Sequence, residues 1–226
     1  WQAVLNRQSA YDFLSWSFTD TSEDTFFQNV KQLPAGSCMI YQLNSHQFQI
    51  KKWYKPATDF MNVDCFESVK DQFFNLLKSS VEYRLIADVK VGSCLSGGMD
   101  STSIVMLVNS LLRSQGQADL QETVSAVSRH KAYDESDYIK SVVESANCKS
   151  HFVYTEFEDF IKDFDRIIWH QDEPFGSSSI FAQWKVFQTA RENGITVMLD
   201  GQGSDEILAG YMQFFGNLFL SLLKSM

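Results

Sequence analysis

The most constraining feature of this chain is a short run, Val89, Val91 and Leu95, that breaks into Ser96-Gly97-Gly98-Met99-Asp100-Ser101 and passes at once into an apolar helical pattern over about 101–112. A strand that ends on glycines and feeds directly into a helix opens a crossover, and crossovers of this kind join parallel strands. The alternation continues downstream. A strand is predicted over 123–127, a helix over 137–146, a strand over 151–154, helices over 157–168 and 179–192, and a β-branched strand over 195–199 that again ends on glycines. Upstream, Phe66, Val69, Phe73, Leu76, Leu77 and Val81 recur at helical spacing over 66–83. Together these predict an α/β fold, a doubly wound and mainly parallel sheet with helices on both faces, whose ligands sit beyond the carboxyl ends of the strands. With 226 residues, 44% of them hydrophobic, the chain can bury a core in one medium domain plus a smaller piece.

The smaller piece lies at the start. Two alternating runs, 39–43 and 48–53, flank Asn44-Ser45-His46 and read as a hairpin at the edge of a β-rich unit. Residues 55–65, with Pro56, Asp59, Asn62 and Asp64, hold no period, so the boundary is expected there, dividing the chain into 1–60 and 61–226. The first residue is Trp1, and the apolar pattern over 214–226 stops without a polar tail, so both ends read as cut and 214–223 as a helix that is normally buried.

Charge and cysteines narrow the function. The net charge of −9, with 19 basic residues scattered among 28 acidic ones, offers no footprint for a nucleic-acid backbone. No stretch reaches the roughly 20 apolar residues of a membrane span, and no signal core is visible, so a soluble, cytoplasmic protein is expected. Cys38, Cys65, Cys94 and Cys148 lie far apart without metal-ligand spacing and read as free thiols, Cys38 as part of a strand core.

Two glycine loops at predicted strand ends carry the chemistry. In the first, backbone N–H groups at 96–101 can face an anion with a helix dipole behind them, Gly97 and Gly98 allow close approach, and the hydroxyls of Ser96 and Ser101 add donors. Asp100 suits Mg²⁺ beside phosphate better than phosphate itself. No lysine follows the glycines, so a conventional P-loop is excluded. A plain Ser/Gly turn with Asp100 or Ser101 as helix cap is the bland alternative. The second loop is Asp200-Gly201-Gln202-Gly203-Ser204-Asp205-Glu206, with Gly210 and Tyr211 after it. His130 and His170, in predicted loops, read as solvated; Ser177–Ser179 suit either a pocket or a helix cap; the aromatic pattern over 157–169 reads as core.

The hexapeptide 96–101 resembles the pyrophosphate-binding loop of N-type ATP pyrophosphatases (adenine nucleotide alpha-hydrolase-like fold), and the loop 200–206 resembles that of the asparagine synthetases. Tyr133-Asp134-Glu135-Ser136 and 172–179 are similar to the same family, and 25–36 looks like the closing segment of its glutaminase domain. The resemblance implies a truncated synthetase domain over 61–226 after a glutaminase remnant over 1–60. It implies ATP with its adenine between the strand end at Cys94–Leu95 and the next strand at Val127 and its triphosphate on Ser96, Gly97, Gly98 and Ser101, with Asp200 and Gly201 closing over the nucleotide. Asp100 and Asp205 would hold Mg²⁺. A carboxylate, aspartate in the namesake enzymes, would be adenylated with release of pyrophosphate, and glutamine-derived ammonia would then displace AMP. Gln202 departs from the family, standing where the best-studied members carry a glutamate proposed to take a proton from ammonia; an amide is no base. Glu206 is the substitute, with a plain first-turn role equally open. Family glutaminases begin with a cysteine that none of these four supplies, so this chain is not expected to hydrolyse glutamine. An adenylating ligase on another acceptor and a non-catalytic nucleotide-binding module are the alternatives, and oligomeric state is open, a homodimer included.

Overall fold

The computed structural model describes residues 2–56, 65–117, 121–131 and 134–225. Asp59, Asn62 and Asp64 of the expected boundary, and Tyr133, lie outside the described residues. The chain divides into two compact units, one of Trp1–Asp64 with Asp172–Gly176, the other of Cys65–Gln171 with Ser177–Met226.

In the first unit, helix α1 (Arg7–Trp16) begins at Asn6, whose side chain accepts from the backbone of Gln8 and Ser9 while its own amide donates to the Thr25 carbonyl at 3.0 Å. The helix buries no side chain, so it shows no apolar period from which the sequence pattern could predict it; the Asn6 cap marks its start instead. Strands β1 (Ser37–Gln42) and β2 (Gln47–Lys52) form the expected antiparallel hairpin. Both strands are exposed nearly throughout, and Cys38, expected in a core, is exposed with them. A two-stranded ribbon has no layer of its own to bury one face.

The second unit is built on a four-stranded, wholly parallel sheet of β3 (Val91–Cys94), β4 (Glu122–Val127), β5 (Lys149–Tyr154) and β6 (Val197–Leu199), in the order β5-β4-β3-β6. Helices α2 (Phe66–Arg84), α3 (Met99–Ser114), α4 (Ser136–Ala146), α5 (Phe157–Gln171) and α6 (Ser179–Glu192) alternate with the strands, followed by α7 (Ser204–Leu208) and α8 (Phe214–Ser225). Strand parity assigns the faces. Val127 packs with Val105 of α3 and with Ile139 and Ala146 of α4, whereas Val124 packs with Val186 and Ala190 of α6 and with Ile195. Helices thus cover both faces of a doubly wound sheet, as expected from the alternation.

One expectation fails on burial. The aromatic helix α5 buries only Asp163 and Ile167; Phe157 and Trp169 are 71% and 79% exposed, because a single face of α5 meets α6. Helix α8 has no buried side chain among its described residues and exposes Leu218, Phe219 and Leu223. Among the described residues, no helix is long and apolar enough to cross a membrane.

Candidate functional site

The first glycine loop leaves β3 and enters α3, whose N-cap residue Gly98 brings no side-chain cap. The loop braces itself. Ser101 Oγ accepts from the Ser96 amide at 3.2 Å and donates to the Gly98 carbonyl at 3.3 Å, and the Ser96 and Ser101 hydroxyls are 3.0 Å apart. Ser101 is buried, so its hydroxyl is a brace as much as a free donor. Gly97 has φ 88°, and a Cβ there would meet Tyr138 Cβ at 3.1 Å and the Glu135 carbonyl at 3.5 Å. Glycine is required for the backbone conformation and for the approach of α4. The stretch 134–136 singled out in the sequence therefore closes on the first loop.

The second loop does so too. A Cβ on Gly201 would lie 2.9 Å from the Ser101 amide nitrogen and 3.0 Å from the Asp100 carbonyl carbon. The backbones of the two loops touch at these two peptides, at the carboxyl ends of the neighbouring strands β3 and β6. Sheet register explains it: Ser93 pairs with Leu199, so the next residues, Cys94 and Asp200, emerge side by side.

Beside this junction is a cavity of about 310 Å³ lined by both loops, β4 and α6. Cys94, Leu95, Ser96 and Ser101 contribute from the first loop and its strand, Asp200 and Gln202 from the second. The expected Val127 is not among the lining residues; it points to the opposite face, and Val124 and Ala126 line the cavity in its place. Besides Val124 and Ala126, the part of the wall missed from sequence comes from α6, where Ala182, Gln183 and Val186 form one stripe with Ser179, the residue already weighed as pocket-lining. Their i, i+3, i+4, i+7 spacing was visible, but nothing in it said that this stripe faces a cavity rather than a core.

Electrostatics distinguish the polar groups. Burial first, then the neighbouring Asp200 carboxylate by charge and hydrogen bonding, push the Cys94 thiol up to about 12, so it is a neutral donor and not a nucleophile. Asp100 sits in the first turn of α3 and also lines a second crevice of about 330 Å³ with Ser204, Ile207 and Leu208 of α7. Asp205 is in the first turn of α7. Glu206 lines none of these cavities and accepts a 3.0 Å hydrogen bond from the Tyr211 hydroxyl. That contact raises the Tyr211 phenol above its ordinary value.

His170 lies in the last turn of α5, not in a loop; its Nδ1 is 2.8 Å from the Arg166 carbonyl and its ring meets Trp184 edge-on. Ser179 reaches the cavity and its hydroxyl is 2.8 Å from that of Ser177, whereas Ser178, the N-cap residue of α6, makes no side-chain cap. Among the described residues, no group of three or more His, Cys, Asp or Glu side chains converges as a metal cage. Asp100 and Asp205, in the first turns of α3 and α7, do not line the first cavity, and only Asp100 lines the second crevice; their carboxylate oxygens are of the donor type that Mg²⁺ takes.

The asparagine synthase family model matches residues 72–224. A putative asparagine synthetase (glutamine-hydrolysing) 2 of Methanocaldococcus jannaschii is 31% identical over 202 residues, covering 89% of this chain and 38% of its own length. The amidase chyE of Penicillium rubens is 29% identical over 206 residues, covering 86% of this chain and 30% of its own. Asparagine synthetase (glutamine-hydrolysing) 1 of Bacillus subtilis is 24% identical over 207 residues, covering 92% and 31%. The chain thus spans about a third of the length of these relatives. Among solved structures, an ammonia-dependent NAD synthetase from Campylobacter jejuni aligns with 66% of this chain and 62% of its own at 15% identity and a TM-score of 0.40.

Proposed function

Since the chain belongs to the asparagine synthase family, we propose that it carries the ATP-pyrophosphatase part of an amide-forming ligase, in which a carboxylate is adenylated and then aminated. The observation that carries this reading is the junction of the two glycine loops, with Gly201 against the Asp100–Ser101 peptide beside a cavity of about 310 Å³. The N–H groups at the start of α3 receive the triphosphate, and the apolar wall of Val124, Ala126, Ala182 and Val186 receives the base. Mg²⁺, when bound, supplies positive charge to the β- and γ-phosphates as pyrophosphate leaves, and Asp100 and Asp205 are the residues that would hold it.

Aspartate is the proposed acceptor and cytoplasmic asparagine formation the proposed role, with ammonia derived from glutamine by a glutaminase domain of which residues 1–60 are the closing part. Gln202 lines the cavity and can orient a reactant through its amide but cannot remove a proton. Glu206 would have to release Tyr211 to act as base. That neutral side chain in the cavity favours a second reading, adenylation of an acceptor other than aspartate; one of the relatives is an amidase.

The test is pyrophosphate release from Mg-ATP by the full-length protein, screened with aspartate and other carboxylic acids, with and without ammonium, since this chain by itself is expected to turn over little. Release that depends on aspartate and yields asparagine is expected, falling by at least a hundredfold in Asp100→Ala. Dependence on another acid would move the assignment to the second reading. ATP binding without release under any acid would reduce the site to a nucleotide-binding module.

A further inference from the structure

Of the stretch 172–179 singled out in the sequence, only the end has a place in the site, where Ser179 lines the cavity. Its beginning is held elsewhere. Asp172–Gly176 belong to the first unit, although α5 before them and α6 after them belong to the second. Asp172, at φ 59°, turns the chain away from the end of α5, and Pro174 keeps the residue before it out of the helical region, so Glu173 is presented from a stiff segment. Oε1 of Glu173 accepts a 3.2 Å hydrogen bond from the Phe26 amide.

Phe26 is the one buried residue of the first unit among the described residues. Its carbonyl accepts from the Asn6 amide at 2.8 Å, where α1 is capped, and its ring meets Phe13 edge-on. A buried amide needs an acceptor, and here the acceptor comes from 147 residues downstream. Glu173 therefore fixes the start of a strap to the centre of that unit. The strap ends six residues on, at most about 20 Å along the chain, at Ser179, whose amide donates to Ser177 Oγ at 3.2 Å. From there α6 supplies Ala182, Gln183 and Val186 to the same cavity wall.

On the reading of residues 1–60 as the closing part of an ammonia-supplying glutaminase, we propose that Glu173 is the positioning residue that couples this supply to the adenylation cavity. A strap anchored at one end and forming wall at the other lets the N-terminal unit set the position of that wall, and reaction rates respond to displacements of about 1 Å. Without the anchor, glutamine hydrolysis continues but ammonia is lost before it displaces AMP. The anchor needs an acceptor at Glu173, not a charge.

The test uses the full-length protein with Mg-ATP and the acid that supports release, supplied either with ammonium or with glutamine. Pyrophosphate and glutamate are measured together. In Glu173→Ala, ammonium-driven release should stay near the wild-type rate, whereas pyrophosphate formed per glutamate should fall by about 5- to 50-fold, the usual size of a coupling between sites. Glu173→Gln, whose amide oxygen still accepts, should keep the wild-type ratio. An unchanged ratio in Glu173→Ala would overturn the assignment, and so would loss of its ammonium-driven release, which would make Glu173 a support of the synthetase fold alone. Wild-type release with ammonium but no glutamate from glutamine would overturn the glutaminase reading of 1–60, and this inference with it, while leaving adenylation standing. No wild-type release with either nitrogen source would overturn the adenylation reading itself.

Discussion

Gly201 shows how much a missing methyl group can decide. It has no positive φ to justify it, so only the approach of Ser101 N and Asp100 C, within 3.0 Å of where a Cβ would stand, explains the glycine. Both neighbours are backbone and cannot swing away. Gly201→Ala should therefore separate the two loops by a few tenths of an ångström or more and lower the rate of pyrophosphate release by about a hundredfold, measured as kcat/KM for ATP beside an unchanged circular dichroism spectrum. An unchanged rate would mean that the loop junction does not position the reaction. The placing of 96–101 and 200–206 as loops between a strand and a helix was legible, because glycine, serine and aspartate there interrupt the apolar periods on either side. Val127 was not. A shift of one position along a strand exchanges faces, and β4 is buried on both, so its composition carries no sign of which face holds the cavity.

Among the elements, α3 carries the site at one end and is tied down near the other. Asn109, buried on α3, donates to Gln121 Oε1 at 2.6 Å and to the Ala146 carbonyl at 2.7 Å, while Gln121 donates to the Val105 carbonyl at 2.7 Å. This small network joins α3, the residue before β4 and the last residue of α4, with Arg113 also donating to Ala146. Asn109→Ala removes a donor from one buried acceptor and leaves another to Arg113 alone. The expected cost is about 2–3 kcal/mol, seen as a lower urea midpoint with unchanged slope. The helices were legible because their apolar spacing is regular. What they face was not: α6 presents Gln183 to the cavity, and α5 leaves most of its aromatic residues in solvent, although both read as amphipathic or apolar helices.

The second unit as a whole is held by charge at the end of the sheet opposite the site. Glu122, at the start of β4, is paired with Lys90 at 2.6 Å, Lys149 at 3.4 Å and His151 Nε2 at 2.7 Å, so one carboxylate joins the segments of three adjacent strands. Burial alone would raise the Glu122 carboxyl, but hydrogen bonds from Lys90 and His151 and the charges of Lys90 and Lys149 bring it down to about 2. A carboxyl depressed on folding adds stability above its unfolded value of about 4.3, and that stability is lost as pH falls from there toward 2. The contribution is at most about 3 kcal/mol, trimmed by the water around Lys149. Urea midpoints at pH 6 and pH 3 should differ more in the wild type than in Glu122→Gln, which should already be the weaker of the two at pH 6; parallel loss in both would assign acid sensitivity elsewhere. By itself the sequence determined the parallel α/β alternation and the placing of two glycine loops between a strand and a helix, because period and residue type are local properties of the chain. Which β4 residues face the cavity, that α6 completes its wall and that Asp200 stands beside Cys94 were decided only in the tertiary structure, because each depends on strand register and on packing between segments distant in the chain.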